Sequence, residues 1–182
     1  QPVFFVGPLL PPPFPAEQPL DAAIDQWSAR MSPDKPMIVV THGTLATDLD
    51  ALARPVTEAL ADLPVTCLVQ APMRSTGWPA NVVTAPWIPF HYTLPSAACV
   101  VSNGGYLGAQ WCAAAGVPMV IIGSTEDKPA VGERVALAGF GINLCNRPLS
   151  PGIIRDAVLA ATTQPAYRER ARHFSQRYRL YD

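Results

Sequence analysis

Three short segments place glycine beside hydroxyl, amide or charged side chains, each directly after a run of apolar residues. Thr41-His42-Gly43-Thr44 follows residues 37–40, and Ser102-Asn103-Gly104-Gly105 follows residues 98–101. Gly123-Ser124-Thr125-Glu126-Asp127-Lys128 follows residues 119–122. Glycine permits a tight turn and a close approach of backbone to ligand. In the first segment Gly43 gives that approach and Thr44 a hydroxyl. In the second, glycine amides at the start of a helix carry partial positive charge, which suits a phosphate. The third gathers hydroxyls, two carboxylates and an ammonium, a set suited to a polyhydroxylated ligand. Each has a plain structural reading beside the functional one. The glycine pair is also ordinary turn geometry, His42 an ordinary hydrogen-bonded histidine, and Asp127 and Lys128 a helix cap and a surface charge. Trp87, in Pro86-Trp87-Ile88-Pro89, is also a core anchor by type.

The elements that must hold these segments alternate regularly. Short apolar runs at residues 37–41, 65–69, 82–84, 98–101, 119–122 and 142–144 are bounded by glycine, proline or polar residues, the pattern of buried parallel strands. Between them lie helical stretches at 48–60, with Asp48 as its expected cap, and at 105–115, 128–138, 151–161 and 165–181. Repeated strand–helix alternation predicts an α/β, doubly wound, Rossmann-like parallel sheet of about six strands. Ligands of such sheets bind beyond the carboxyl ends of the strands, where all three segments fall. Residues 1–36, with Pro11–Pro15 reading PPPFP, are expected to form a proline-rich linker and a short helix over 21–31. Residues 37–164 form the sheet domain and 165–182 a C-terminal helix.

Composition narrows the classes. Charged residues make up 15% of the 182, and the net charge is −1. That excludes the basic footprint of nucleic-acid binding, and the arginines between Arg168 and Arg179 read as a solvated helix face. The low charge suits an apolar surface that meets another body. The four cysteines, Cys67, Cys99, Cys112 and Cys145, show no CxxC and no zinc pattern. They read as reduced and structural, which points to a cytoplasmic protein. No apolar run reaches membrane-spanning length, so no stable membrane insertion is expected. The N-terminal stretch lacks a signal-peptide pattern and looks like part of a longer protein.

The order of these motifs resembles the C-terminal, nucleotide-sugar-binding half of inverting GT-B glycosyltransferases. The likeness is to microbial members that glycosylate macrolides, other natural products and lipids. Phe5-Val6-Gly7-Pro8-Leu9 is similar to the family's interdomain junction, and Val40-Thr41-His42-Gly43-Thr44 to its first strand-end turn. Trp87-Ile88-Pro89 with Leu94-Pro95, Ser102–Gly105 through Gly116-Val117-Pro118, and Glu126-Asp127-Lys128 match the later motifs. The resemblance covers nearly the whole chain.

The resemblance implies a role for each matching residue. Trp87 would stack on the nucleotide base, and backbone groups of Ile88 would read its edge. Thr44, Asn103, Gly104 and Gly105 would hold the diphosphate of a UDP- or dTDP-sugar with no metal and no further cofactor. Asp127 and Lys128 would bond the sugar hydroxyls. His42, Gly43, Thr76, Phe90, Tyr106, Gln110, Trp111 and Glu126 would border the donor. Three positions depart from the family: Asn103 replaces a diphosphate-binding His, Phe90 a Gln, and Trp111 a ribose-binding Glu. The family's catalytic base belongs to the N-terminal half, and none of His42, His91 and His173 stands in its place. The implied partners are a nucleotide-sugar donor and that acceptor-binding half, with no catalytic residue in this chain and little activity when it is isolated. The competing function is a non-catalytic nucleotide-binding or partner-docking module of the same fold. An epimerase of this architecture would need its own acid/base carboxylates, and a Rossmann dehydrogenase its GxGxxG fingerprint.

Overall fold

The computed structural model describes residues 10, 28–29, 31–32, 34–43, 48–72 and 75–181. Thr44, the 5–9 junction and most of the expected linker lie outside the described residues.

Six strands form one parallel sheet: β1 (Met37–Thr41), β2 (Thr66–Gln70), β3 (Val82–Ala85), β4 (Ala97–Ser102), β5 (Met119–Ile121) and β6 (Gly141–Asn143). Their order across the sheet is β3-β2-β1-β4-β5-β6. The helices are α1 (Ala53–Ala59), the single turn α2 (Phe90–Thr93), α3 (Tyr106–Ala115), α4 (Lys128–Ala138), α5 (Pro151–Thr163) and α6 (Pro165–Tyr178). β1 is buried along its length and feeds both faces of the sheet. Met37 and Val39 join one core with Leu68, Val100, Met119, Cys112, Val131 and Ala171. Ile38 and Val40 join the other with Cys67, Val69, Val101, Val56, Ile154 and Val158. Side chains of a strand alternate between faces, so a strand covered on both sides must be apolar throughout. The cores place α3, α4 and α6 on one face and α1 and α5 on the other.

All four cysteines are free and buried. Burial pushes the Cys67 and Cys99 thiols up to about 12, so they pack as small hydrophobic groups. No helix among the described residues is long and apolar enough to cross a membrane.

One local difference from expectation is instructive. α1 begins at Ala53, and its N-cap Leu52 offers no capping side chain. The Asp48 carboxylate is spent upstream, accepting from the amides of Asp50 (2.9 Å) and Ala51 (3.3 Å). The inner face of α6 lies on its own domain. Ala171 and Ser175 are buried, and Phe174 meets Phe140 with ring centroids 5.3 Å apart. Arg168 ties the helix down. Its guanidinium donates to the carbonyls of Ala97 (2.8 Å) and Ala98 (3.0 Å) at the start of β4, and of Gly116 (3.2 Å) just past α3. One arginine thus holds both outer ends of the β4–turn–α3 unit.

Arg168→Ala strips three carbonyls of a charged donor. The expected loss of stability is about 2 kcal/mol, read as a fall in denaturant midpoint with an unchanged slope. A loss within about 0.5 kcal/mol, the range of ordinary surface substitutions, would show that water replaces the guanidinium at no cost.

Candidate functional site

The strand order fixes where a site forms. From β1 the chain proceeds outward through β2 and β3, then returns to lay β4 on the other side of β1. Beyond β1 the chain turns toward the α1 face, and beyond β4 toward the α3 face. The switch point of the sheet, where such folds form a ligand crevice, therefore lies where Thr41 and Ser102 are side by side at the two strand ends.

The first two turns are built alike. The Thr41 hydroxyl donates to the Gln70 side chain (2.6 Å) and accepts from the Gly43 amide (3.0 Å). The Ser102 hydroxyl accepts from the Gly104 amide (3.0 Å). Asn103 then joins the two turns. Its side-chain nitrogen donates to the His42 carbonyl, and its side-chain oxygen accepts from the Gly105 amide (3.3 Å). The third turn rests on the second. The Ile122 amide donates to the Ser102 carbonyl (3.0 Å), and Gly123 lies so close to the Asn103 carbonyl that a Cβ there would overlap it. Gly104 is equally constrained. Its φ is +90°, and a Cβ would collide with Ile121.

These bonds decide which backbone amides stay open at this edge. The amides of Gly104 and Gly105, the glycines singled out from sequence, are engaged by Ser102 and Asn103. The N-cap of α3 is Gly105, with no capping side chain. The first backbone amides of a helix have no intrahelical acceptor, so those of Tyr106, Leu107 and Gly108 face the crevice end of α3.

The 86–90 segment reaches the same helix. Ile88 is buried in the α3-side core, which leaves only its main chain for a ligand. Phe90 packs on that core too, its ring 3.9 Å from where a Gly108 Cβ would stand. Trp87, between them and β3, is 39% exposed. Tyr106 is exposed and lies near Tyr178 of α6, whose phenol is pushed up by burial and by Tyr106. Gln110 is buried, and Trp111 packs half-buried against the core. Thr76 stands apart on a different support. Arg54 holds the carbonyls of Thr76 (2.9 Å) and Gly77 (3.2 Å) and stacks 4.5 Å over Trp78.

In the third turn Asp127 occupies the N-cap of α4, yet its side chain makes no capping bond. The carboxylate is exposed. Glu126 adopts a left-handed φ of +57°, at a cost of about 1–2 kcal/mol for a residue with a Cβ. Its carboxylate pairs with the Lys128 ammonium, which also donates to the Thr125 hydroxyl (3.1 Å). Such strain persists where the surrounding structure requires it, commonly at functional sites.

Sequence reasoning missed Thr41, Ser102 and Gln70. The signal was a hydroxyl residue two positions before glycine at a strand end, where it captures the glycine amide.

The chain was then compared with known proteins. The family model for the erythromycin biosynthesis protein CIII-like C-terminal domain matches residues 46–178. The chain belongs to this family. Among curated relatives of this CIII-like domain, 4'-demethylrebeccamycin synthase of Lentzea aerocolonigenes is 37% identical over 182 residues, covering 99% of this chain and 42% of that protein. UDP-glycosyltransferase 2 of Phaeomoniella chlamydospora is 37% identical over 167 residues, covering 87% of this chain and 37% of that protein. The chain thus spans about two fifths of the length of these relatives. The structure of CalG4, the calicheamicin glycosyltransferase, superposes with a TM-score of 0.72 at 28% identity, over 82% of this chain and 40% of that one. The six-stranded parallel architecture is accordingly that of one half of a GT-B glycosyltransferase.

Two outcomes test the site's construction. Gly123→Ala forces the third turn off Asn103, so we expect a stability loss of about 1–3 kcal/mol, as for overpacking, on thermal unfolding. The other concerns His42, buried with its Nε2 lacking any hydrogen-bond partner. Burial lowers its pKa below 6.5, against an opposing pull from Asp48. In the unfolded chain the imidazole takes up a proton near 6.5, whereas the folded chain resists. His42 therefore costs the fold nothing above that pH and destabilises it as pH falls below. His42→Gln should flatten the decline in Tm between pH 7 and pH 5 relative to the parent. An unchanged decline would assign it to other groups.

Proposed function

We propose that this chain is the donor-binding half of an inverting glycosyltransferase that moves a hexose or deoxyhexose from a UDP- or dTDP-sugar to an acceptor hydroxyl. The observation that carries the reading is the convergence of three strand-end turns on Asn103, beside the uncapped amino end of α3. The curated relatives named above are consistent with it.

In this reading the diphosphate sits at the α3 amino end, held by the amides that begin at Tyr106. Trp87 offers its exposed indole face to the base, Ile88 contributes main-chain groups, and Asp127 bonds the sugar hydroxyls. Thr44, which follows Gly43 in the sequence, is a further diphosphate ligand in this reading. The acceptor oxygen attacks the anomeric carbon from the face opposite the diphosphate. The bond to the leaving oxygen breaks with its electron pair, and the helix-end dipole stabilises the charge that develops there. The acceptor's proton passes to a base on an N-terminal half, which also builds the acceptor pocket. Residues 1–36 act as the link to that half, 37–164 as the donor domain, and 165–182 as the segment that reaches toward the partner half from its seat on α3. The chain works in the cytoplasm, and alone it binds donor without turning it over.

Calorimetry on the 182-residue chain should detect UDP or dTDP with a Kd in the millimolar range or tighter. Trp87→Ala should weaken both by about 1–3 kcal/mol, the worth of one base–aromatic stack. Asp127→Ala should weaken the nucleotide sugar more than the free diphosphate. Absence of binding to any nucleotide or nucleotide sugar would favour a docking module instead.

A further inference from the structure

Lys128 stands where the resemblance implies a sugar contact, and its geometry favours another ligand. Its stem crosses the bare backbone of the two glycines that shape the crevice. A Cβ on Gly123 would lie 2.8 Å from Lys128 Cδ, and one on Gly104 would lie 3.6 Å from Lys128 Cβ. Its side chain is 13% exposed, whereas that of its ion-pair partner Glu126 is 71% exposed. The stem is thus held down along these glycines, the head donates to Thr125 and Glu126, and the carboxylate that pairs with it stands out in solvent. Across the three turns, 41–44, 102–105 and 123–128, Lys128 is the one lysine or arginine. Asn103 is neutral and bonded to His42 and Gly105, burial lowers the pKa of His42, and Arg54 is committed to Asp50, Thr76 and Gly77.

We propose that Lys128 is a diphosphate ligand rather than a sugar ligand, and that Glu126 is a stand-in anion that holds the ammonium in place until the diphosphate displaces it. This rests on the donor-site reading above. A nucleoside diphosphate carries more negative charge than one carboxylate, and an exposed carboxylate is readily exchanged into water. When the sugar leaves, the electron pair of the broken bond settles on a diphosphate oxygen beside an ammonium freed from Glu126. The ammonium supplies charge that a neutral Asn103 does not.

The test is calorimetry of UDP and UDP-glucose, with dTDP and dTDP-glucose in parallel, on the parent chain, Lys128→Gln and Glu126→Gln. Lys128→Gln is expected to weaken the free diphosphate and the nucleotide sugar by the same factor, about tenfold for one charge-assisted contact. Glu126→Gln is expected to tighten both, because it releases the ammonium from its competitor. An ion pair that only stabilises the turn would give losses in both variants, and that result overturns the proposal. So does a Lys128→Gln loss confined to the nucleotide sugars, or no loss at all. If the parent chain binds none of the four ligands, the donor-site reading itself fails and the inference fails with it. Binding by the parent with one of the contrary patterns defeats the inference alone.

Discussion

The arrangement depends on one side chain that crosses the switch point of the sheet. Asn103 uses its amide nitrogen on the His42 carbonyl and its amide oxygen on the Gly105 amide, and its own carbonyl lies under Gly123. Three turns that belong to three different strands are thereby referred to a single residue. A side-chain amide suits the position because it both donates and accepts in fixed directions without bringing charge. A carboxylate has no hydrogen to donate and would lose the bond to His42. The work that Asn103 does in this structure is alignment of the turns around it.

Alignment has to be transmitted to the rest of the domain. Thr41 and Ser102 carry it into the sheet, where they are register partners on neighbouring strands. Each hydroxyl takes a glycine amide that would otherwise point into the crevice, so the strand ends are closed off locally and the open donors are left to α3. Arg168 carries it outward by fixing the far ends of β4 and α3 to α6. The amino end of α3 is thus located from both directions, by hydrogen bonds beneath it and by a helix packed along it.

What the sequence disclosed, and what it hid, follows from the range of the forces involved. The strands were legible because a parallel sheet buried on both faces demands unbroken apolar runs, and the observed strands fall on those runs within a residue or two. The three turns were legible because glycine after such a run has few other uses. Asp48 misled because a carboxylate before an amphipathic stretch is ambiguous by one turn. Only the described structure shows it capturing the amides of Asp50 and Ala51 while Leu52 starts the helix. Occupancy of the Gly104 and Gly105 amides was hidden as well, since it arises from side chains whose partners depend on the turn's full conformation. The inward packing of Trp111 against the core was not readable from its position in the motif. Neither was the support that Arg54 gives the loop at Thr76, which joins residues more than twenty positions apart.

Gly104 and Gly123 lend a last consequence. The crevice they border owes its form to atoms that are missing: neither backbone has room for even one methyl group. A side chain at either position would part the turns, against Ile121 or the Asn103 carbonyl. Variation of this surface is then left to exposed positions around the rim, such as Tyr106, Ser124 and Asp127. The floor stays constant while the walls are rewritten.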